Sequence, residues 1–483
     1  IYSLALAVSV SIWFLAVRSP LWLDETGSFW QINAGFWGIL SRQPVSFPAY
    51  SYILWSSTKI LGTSEIALRV PSILAMLGAV YLLYLAAREL FDRDCAIVAA
   101  IVFCLHPIVD FASIDVRPYA FAVLTTNAAI LVMLRLRHNN SNRLAALFGL
   151  LAACNIWFHF LFATIIPALV LCFFIVKIGD RKALWRQFSV ASAVFFLAFL
   201  PVIHGLQFLF HTAGIYVYEA APGPLDFVFT LVPTLGFVFI AICILILVAA
   251  TPTPRPKTAS RAITVQFQIC LSLALIPMLI LFAVSVGTSI HTFAPRHRLD
   301  AVPGIALCWA MFFSFIRPRA SRLVACVVLV AISAYLSYSS PTSGQHGFTW
   351  KYALEVAEKN ASVDNAPVVI CSDFVESNIL TRPLDLEKDS SYFTPLSYNR
   401  LSVPVVPLPM ALNDEAMRTG SLFLVDAVKK QQRFLALADR RSYKTLDWLS
   451  QSAAATHTVR NLGVYDDIEV LEFVPRTEAI ASH

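Results

Sequence analysis

Residues 263–287 read ITVQFQICLSLALIPMLILFAVSVG, an apolar run without one charged side chain. The hydrocarbon core of a bilayer demands about 20 such residues of a helix. In hydrocarbon every backbone amide must be satisfied within its own segment, so a spanning run of this kind is helical. A transmembrane barrel would alternate polar and apolar residues, and that pattern does not occur here. Blocks of the same character recur at about 1–17, 66–87, 95–109, 118–134, 144–158, 160–176, 188–204, 226–250, 301–316 and 321–338. The pair 144–158 and 160–176 counts as two helices, with a turn centred on His159, because together they exceed one span. Composition agrees: the 483 residues are 58% hydrophobic and 14% charged, with mean hydropathy +0.69, where a soluble domain carries roughly 25% charged residues. The expected fold class is an α-helical polytopic membrane protein of about 11 transmembrane helices.

Basic residues give the orientation. One set of loops carries Arg88 and Arg93; Arg135, Arg137 and Arg143; Lys177, Arg181, Lys182 and Arg186; Arg255, Lys257 and Arg261; Arg317, Arg319 and Arg322. The opposite set is poor in Lys and Arg, and the loops near 159 and 205–225 have none. The basic set is expected to face the cytoplasm, which places the first long loop, about 18–65, and the C-terminal tail outside. The net charge of +6 is spread over loops, which argues against a nucleic-acid partner. Eight of the nine cysteines lie inside apolar segments and only Cys371 in the tail, without zinc or disulfide spacing. The chain begins at Ile1 without methionine, and the start of the first helix with any basic leader is expected to be missing.

The domain reading is a membrane domain over 1–339 and a soluble, extracytoplasmic α/β domain over 340–483. In the tail the apolar runs are short: Pro367–Cys371, Ser421–Val425 and Ile468–Phe473 read as strands, and Trp350–Asn360 and Ala427–Ala438 as helices. Thr251–Pro256 reads as a stiff cytoplasmic linker. The sequons at Asn139 and Asn360 are weak motifs, the first on the cytoplasmic side.

The long first loop opens with Trp22-Leu23-Asp24-Glu25 where the first helix leaves the bilayer. Adjacent carboxylates at a membrane surface are costly unless they hold a metal or a proton. Asp24 suits a general base that deprotonates an acceptor hydroxyl, with Glu25 in support or on a cation. The competing reading is that both cap the helix that follows. Histidines 106, 159, 204 and 291 lie near outer helix ends, where interfacial histidines with ordinary partners are common, and Trp22, Trp30, Trp37 and Trp55 suit an interfacial belt. No Walker or Rossmann glycine pattern occurs, and the one α/β region is expected outside, so a lipid-carried donor fits better than a nucleotide sugar.

The acidic pair, then Phe47-Pro48-Ala49-Tyr50-Ser51-Tyr52, then Gly62-Thr63-Ser64-Glu65-Ile66-Ala67-Leu68-Arg69-Val70-Pro71-Ser72 resemble the start of the protein O-mannosyltransferase and aminoarabinose-transferase superfamily. The resemblance continues at Ile114-Asp115-Val116-Arg117-Pro118-Tyr119-Ala120 and, more weakly, at Ala294-Pro295-Arg296-His297-Arg298, covering roughly residues 20–310. Two departures stand out. Family members carry His-Pro-Pro where this chain has Phe47-Pro48-Ala49, so any contact from that histidine is missing, and the usual Arg-Tyr of the last outer loop is Arg296-His297 here. The resemblance implies a GT-C fold and a glycosyltransferase that uses a polyprenyl-phosphate sugar donor, with a lipid, protein or glycan acceptor.

A phosphate at the membrane surface with its tail in lipid requires cationic heads beside an apolar groove. Arginine provides two charge-assisted hydrogen bonds from one planar fork. The candidate donor-phosphate ligands are Arg117 and Arg296, with Arg298 third and Tyr119 as a hydroxyl donor. The catalytic candidates are Asp24, Glu25 and Asp115, the last orienting Arg117 or acting as a second acid. Arg69 reads as structural, in reach of Glu65 one turn earlier. A divalent cation, Mg or Mn, is the one expected cofactor, with Asp24 and Glu25 its candidate ligands. The leading function is sugar transfer on the outer face, with inversion, in a bacterial inner membrane. The alternatives are a lipid-linked glycan flippase or transporter, which would place ionisable residues near the midplane, and a receptor or scaffold that uses the membrane part as an anchor.

Overall fold

The computed structural model describes residues 1–42, 48–177, 181–203, 205–207, 221–234, 237–238, 241–243, 257–288, 291–316, 318–339 and 349–476. Phe47 of the departing motif, His204, the linker 251–256 and much of the expected segment 226–250 lie outside the described residues. The chain forms two units: Ile1–Arg18 with Gln43–Gly344, and Ser19–Arg42 with Gln345–His483.

The first unit is built of apolar helices. Among the described residues five are long and apolar enough to cross a membrane: Glu65–Leu90, Phe160–Lys177, Arg181–Val202, Ile263–Gly287 and Arg319–Leu336. Tyr2–Ala16, Tyr119–Arg135 and Asn142–Phe158 are shorter apolar helices. Glu65–Leu90 starts where Ser64 Oγ accepts the Ala67 amide at 3.3 Å, with Glu65 in its first turn and Arg88 in its last, the order the helix dipole favours. Arg69 inside it is fully buried and donates from Nη1 to the Val17 carbonyl at 2.9 Å, which ties this helix to the end of the first apolar segment.

The segment expected as one helix over 95–109 is two helices, Arg93–Leu105 and Pro107–Ile114, bent by 70°. Pro107 has no amide hydrogen and forces the preceding residue out of helical geometry. His106 takes up the break, its Nδ1 accepting the Ile108 amide at 3.3 Å as a cap on the second helix. A similar change follows His159, where Asn142–Phe158 gives way to the 3-10 turn Phe160–Thr164.

Packing within this unit depends on small residues, which let helix backbones approach. A Cβ on Gly149 would lie 2.1 Å from the Ala191 carbonyl oxygen, and one on Gly304 would lie 2.3 Å from the Ala274 nitrogen. Helix Asn142–Phe158 therefore touches Arg181–Phe199, and Val302–Ser314 touches Lys257–Gly287, backbone against backbone. Leu74, Tyr81, Phe196, Leu197, Val324 and Tyr335 stand exposed on helix faces that lipid would cover.

The second unit holds a five-stranded sheet of order β2-β1-β3-β5-β4, with β1 Val368–Cys371, β2 Val405–Leu408, β3 Phe434–Asp439, β4 His457–Tyr465 and β5 Ile468–Pro475. β1 runs parallel to both β2 and β3; β5 is antiparallel to β3 and to β4. A two-residue turn with Asp466 and Asp467 at positive φ joins β4 to β5, the backbone a tight hairpin needs.

Two expectations for the tail are corrected here. Ser421–Val425, expected as a strand, lies inside the helix Asp414–Lys429, and Ala427–Ala438, expected as a helix, runs from the end of that helix into most of β3. Asn413 Oδ1 accepts the Ala416 amide at 2.8 Å, and Ala416, Gly420, Leu424 and Ala427 bury one helical face. β3 is buried on both sides along its whole length, so its FLALAD sequence shows none of the alternation of a half-exposed strand.

The N-terminal stretch of this unit packs on the C-terminal residues. Trp22 bridges to Thr349, the hydroxyls of Thr26 and Thr394 meet at 2.8 Å, Trp30 Nε1 donates to Ser390 Oγ at 3.1 Å, and Phe29 meets Tyr398 edge to face at 5.0 Å.

Candidate active site

Three breaks in helical structure bring the cationic residues of the first unit together. Asp115 leaves the helix Pro107–Ile114 in extended conformation, and Pro118 caps Tyr119–Arg135, so Arg117 sits between two helix ends. His159 occupies the break before Phe160. Arg296, His297 and Arg298 lie in the 3-10 turn Pro295–Ala301, which packs against Pro107–Ile114, Tyr119–Arg135 and Phe160–Thr164.

The rings form a chain. Tyr119, buried, lies 4.9 Å from His159 between ring centres; His159 stacks on Phe160 at 5.3 Å and 10°, and faces His297 at 5.9 Å. Arg117 and Arg296 act electrostatically on both His159 and His297. His297 Nδ1 lies 2.9 Å from the Thr292 carbonyl, and Arg296 Nε donates to His297 Nε2 at 3.4 Å. Two arginines and two histidines thus stand together where several apolar helices end.

Arg298 is placed differently from Arg117 and Arg296. It is 8% exposed, donates from Nη1 to the Asp226 carbonyl at 2.7 Å and to the Thr230 hydroxyl, and its guanidinium lies 4.7 Å over the Phe293 ring. His106 Nε2 is 3.1 Å from the Thr230 carbonyl, so Arg298 and His106 both hold the helix Pro224–Leu231. Asp115 is fully buried, as is Asp300, whose carboxylate is hydrogen bonded to the Thr164 hydroxyl.

Asp24 and Glu25 belong to the other unit, in the first turn of the helix Leu23–Asn33. Asp24 is half-buried. Glu25 is fully buried and its Oε2 accepts the Trp22 backbone amide at 3.2 Å, closing the start of the helix on itself. The capping reading of the acidic pair thus describes the geometry of Glu25. Among the described residues no three His, Cys, Asp or Glu side chains converge as a metal seat.

His159 is the residue that sequence reasoning set aside. Its signal was its place in the short turn between two apolar segments, but the contact that matters, with His297, spans a separation that spacing does not reveal.

Residues 42–204 match the family model described as dolichyl-phosphate-mannose-protein mannosyltransferase. In overall structure the chain is similar to ArnT from Cupriavidus metallidurans bound to undecaprenyl phosphate, with a TM-score of 0.57 and 13% identity over 97% of both chains. The chain has the GT-C fold, in its ArnT-like form. The apo state of the same ArnT gives a TM-score of 0.58, again at 13% identity and 97% of both chains. A weaker likeness, TM-score 0.47 and 12% identity, covers 95% of this chain and 69% of the Archaeoglobus fulgidus oligosaccharyltransferase. No curated protein matches by sequence. The apolar helices and this fold mark an integral membrane protein.

Proposed function

We propose that this ArnT-like protein is a glycosyltransferase that moves a sugar from a polyprenyl-phosphate carrier to an acceptor hydroxyl on the outer face of a bacterial inner membrane. The observation that carries the reading is the gathering of Arg117 and Arg296 around the His159–His297 pair where apolar helices end. That site has the two characters such a donor needs: fixed cations for its phosphate and apolar helix faces for its tail. The match of residues 42–204 to a family of mannosyltransferases supports the class of reaction.

In the proposed step the acceptor oxygen attacks the anomeric carbon opposite the phosphate. The carbon–oxygen bond to the phosphate breaks, and the configuration inverts. Asp24 takes the acceptor proton, and the polyprenyl phosphate leaves as an anion. Arg117 and Arg296 stabilise the charge that grows on it, commonly the largest catalytic contribution in a site of this type. Tyr119 supports the cluster through its ring contact with His159, and Asp115 orients the turn that carries Arg117. Glu25 fixes the helix that presents Asp24.

Transfer of labelled sugar from a panel of polyprenyl-phosphate donors in proteoliposomes tests the reading, with Asp24→Asn alongside. Transfer in the wild type that collapses in the variant, with undecaprenyl phosphate still bound, is the expected result. Movement of lipid across the bilayer without transfer from any donor would instead assign a flippase.

A further inference from the structure

A carbonyl oxygen only accepts hydrogen bonds, so the 2.9 Å contact between His297 Nδ1 and the Thr292 carbonyl puts the ring proton on Nδ1. Nε2 of the neutral ring then carries a lone pair, and Arg296 Nε–H points at it across 3.4 Å. Thr292 is itself anchored: its amide donates to Ser285 Oγ at 2.8 Å, and the two hydroxyls lie 3.3 Å apart. Ser285 belongs to the long helix Lys257–Gly287. A continuous path runs from a membrane-type helix through Thr292 and His297 to the guanidinium of Arg296. Around the ring stand Arg296, Arg117, Arg298 and His159. Three of these are permanent cations, an arrangement that keeps a proton off Nε2 and preserves it as an acceptor.

We infer that His297 is a positioning residue: as the Nδ1–H tautomer it accepts the Nε–H of Arg296 and fixes the plane of that guanidinium toward the donor phosphate. The inference rests on the proposed role of Arg296 as a phosphate ligand and adds the group that aims it. Arginine binds phosphate through a planar fork, so the direction of the plane decides whether one or two hydrogen bonds form. An arginine held at Nε loses its freedom to turn before the ligand arrives, which raises affinity by preorganisation.

The test is a binding titration of the full-length protein in nanodiscs with undecaprenyl phosphate. His297→Gln retains an acceptor near the position of Nε2. His297→Asn retains a donor for Thr292 and places no acceptor beside Arg296. Arg296→Ala is expected to weaken binding about tenfold or more, the size of one charge-assisted hydrogen bond. His297→Asn is expected to weaken it by about as much, His297→Gln to stay near wild type, and the Arg296→Ala/His297→Asn pair to be no weaker than Arg296→Ala alone. Wild-type affinity in His297→Asn alongside loss in Arg296→Ala overturns the positioning role and leaves Arg296 as a ligand. Equal losses in the Gln and Asn variants overturn the acceptor role, since packing alone would explain both. Wild-type affinity in Arg296→Ala overturns the phosphate role of Arg296 and the inference with it. Each variant is compared at matched thermal midpoint, so that loss of fold is scored separately.

Discussion

Asp373 and Asp439, at the carboxyl ends of the neighbouring parallel strands β1 and β3, are held by a single guanidinium. Arg441 donates from Nη2 to Asp373 Oδ1 and from Nε to Asp439 Oδ2, each at 2.6 Å. Trp350 Nε1 adds a third donor, 3.0 Å from Asp373 Oδ2. Both aspartates are buried in the second unit.

This pair makes stability fall as pH rises. Burial, and then the neighbouring Asp439, push the Asp373 carboxyl up to about 8, whereas Asp439 is held below the usual carboxylate range despite its burial, by Asp373 and Arg441. A raised carboxyl means that the folded form binds the proton more tightly. Its contribution is complete below the unfolded value near 4 and is lost as pH climbs through about 8. The Asp439 contribution runs the other way, present above the ordinary carboxylate value and lost in acid. Between these limits Asp373 sets the slope. The thermal midpoint of the wild type should drop from pH 5 to pH 8, and that of Asp373→Asn should drop less; equal slopes in the two proteins would contradict the assignment.

Arg441→Met takes the one cation from the buried Asp373–Asp439 pair. Removing one partner of a buried ion pair costs roughly 3–5 kcal/mol. Here the lower end applies, because 37% of the Arg441 side chain meets water. Urea unfolding of the second unit, followed by limited proteolysis of the full chain, should show its midpoint shifted down well before that of the apolar unit.

Asp24 and Glu25 should separate under substitution. Glu25→Gln keeps an oxygen for the Trp22 amide and should retain transfer within a few-fold. Glu25→Ala should cost about 1 kcal/mol or more of helix capping. Asp24→Asn should abolish transfer while leaving stability unchanged. Loss of transfer in Glu25→Gln at unchanged stability would give Glu25 a part in the chemistry.

Arg117→Ala should weaken undecaprenyl phosphate binding with little change in thermal midpoint. Arg298→Met should do the reverse, since Arg298 is spent on the Asp226 carbonyl and the Thr230 hydroxyl. The two measurements made side by side distinguish a ligand from a brace.

Gly304→Ala should lower stability by roughly 1–3 kcal/mol, the usual cost of overpacking. Its new methyl would meet the backbone of Leu273 and Ala274, and the helix that it pushes begins directly after the turn carrying Arg296 and His297. Lipid binding should weaken in parallel with stability.

The helical membrane character was legible because length and apolar content decide it: every expected apolar segment except 226–250, much of which lies outside the described residues, is helical over most of its length, although only five described helices are by themselves long and apolar enough to span, against the eleven expected. The strands were less so. Ser421–Val425 is a five-residue apolar run that fits either period, and only the burial of Ala416, Gly420, Leu424 and Ala427 decides for helix. β3 was hidden by alanines and leucines that a central strand tolerates on both faces. In the candidate site, charge and motif singled out Arg117 and Arg296, which the structure places near His159 and His297. The His159 contact was not legible, because it depends on two helix breaks meeting in space. Glu25 could be read either as a cap or as an active acid, and the sequence could not show that its carboxylate reaches back to the Trp22 amide.

Ser19–Arg42 and Gln345–His483 form one unit, which has a consequence for the order of assembly. The helix bearing Asp24 is synthesised well ahead of the residues it packs on, Thr349, Ser390, Thr394 and Tyr398. Domains tend to mature as they emerge, but this one has to wait until some three hundred residues have been threaded and inserted. The proposed base is therefore held in its folded setting only once Gln345–His483 has been made, and a nascent protein stalled before the sheet would carry its arginine cluster without it.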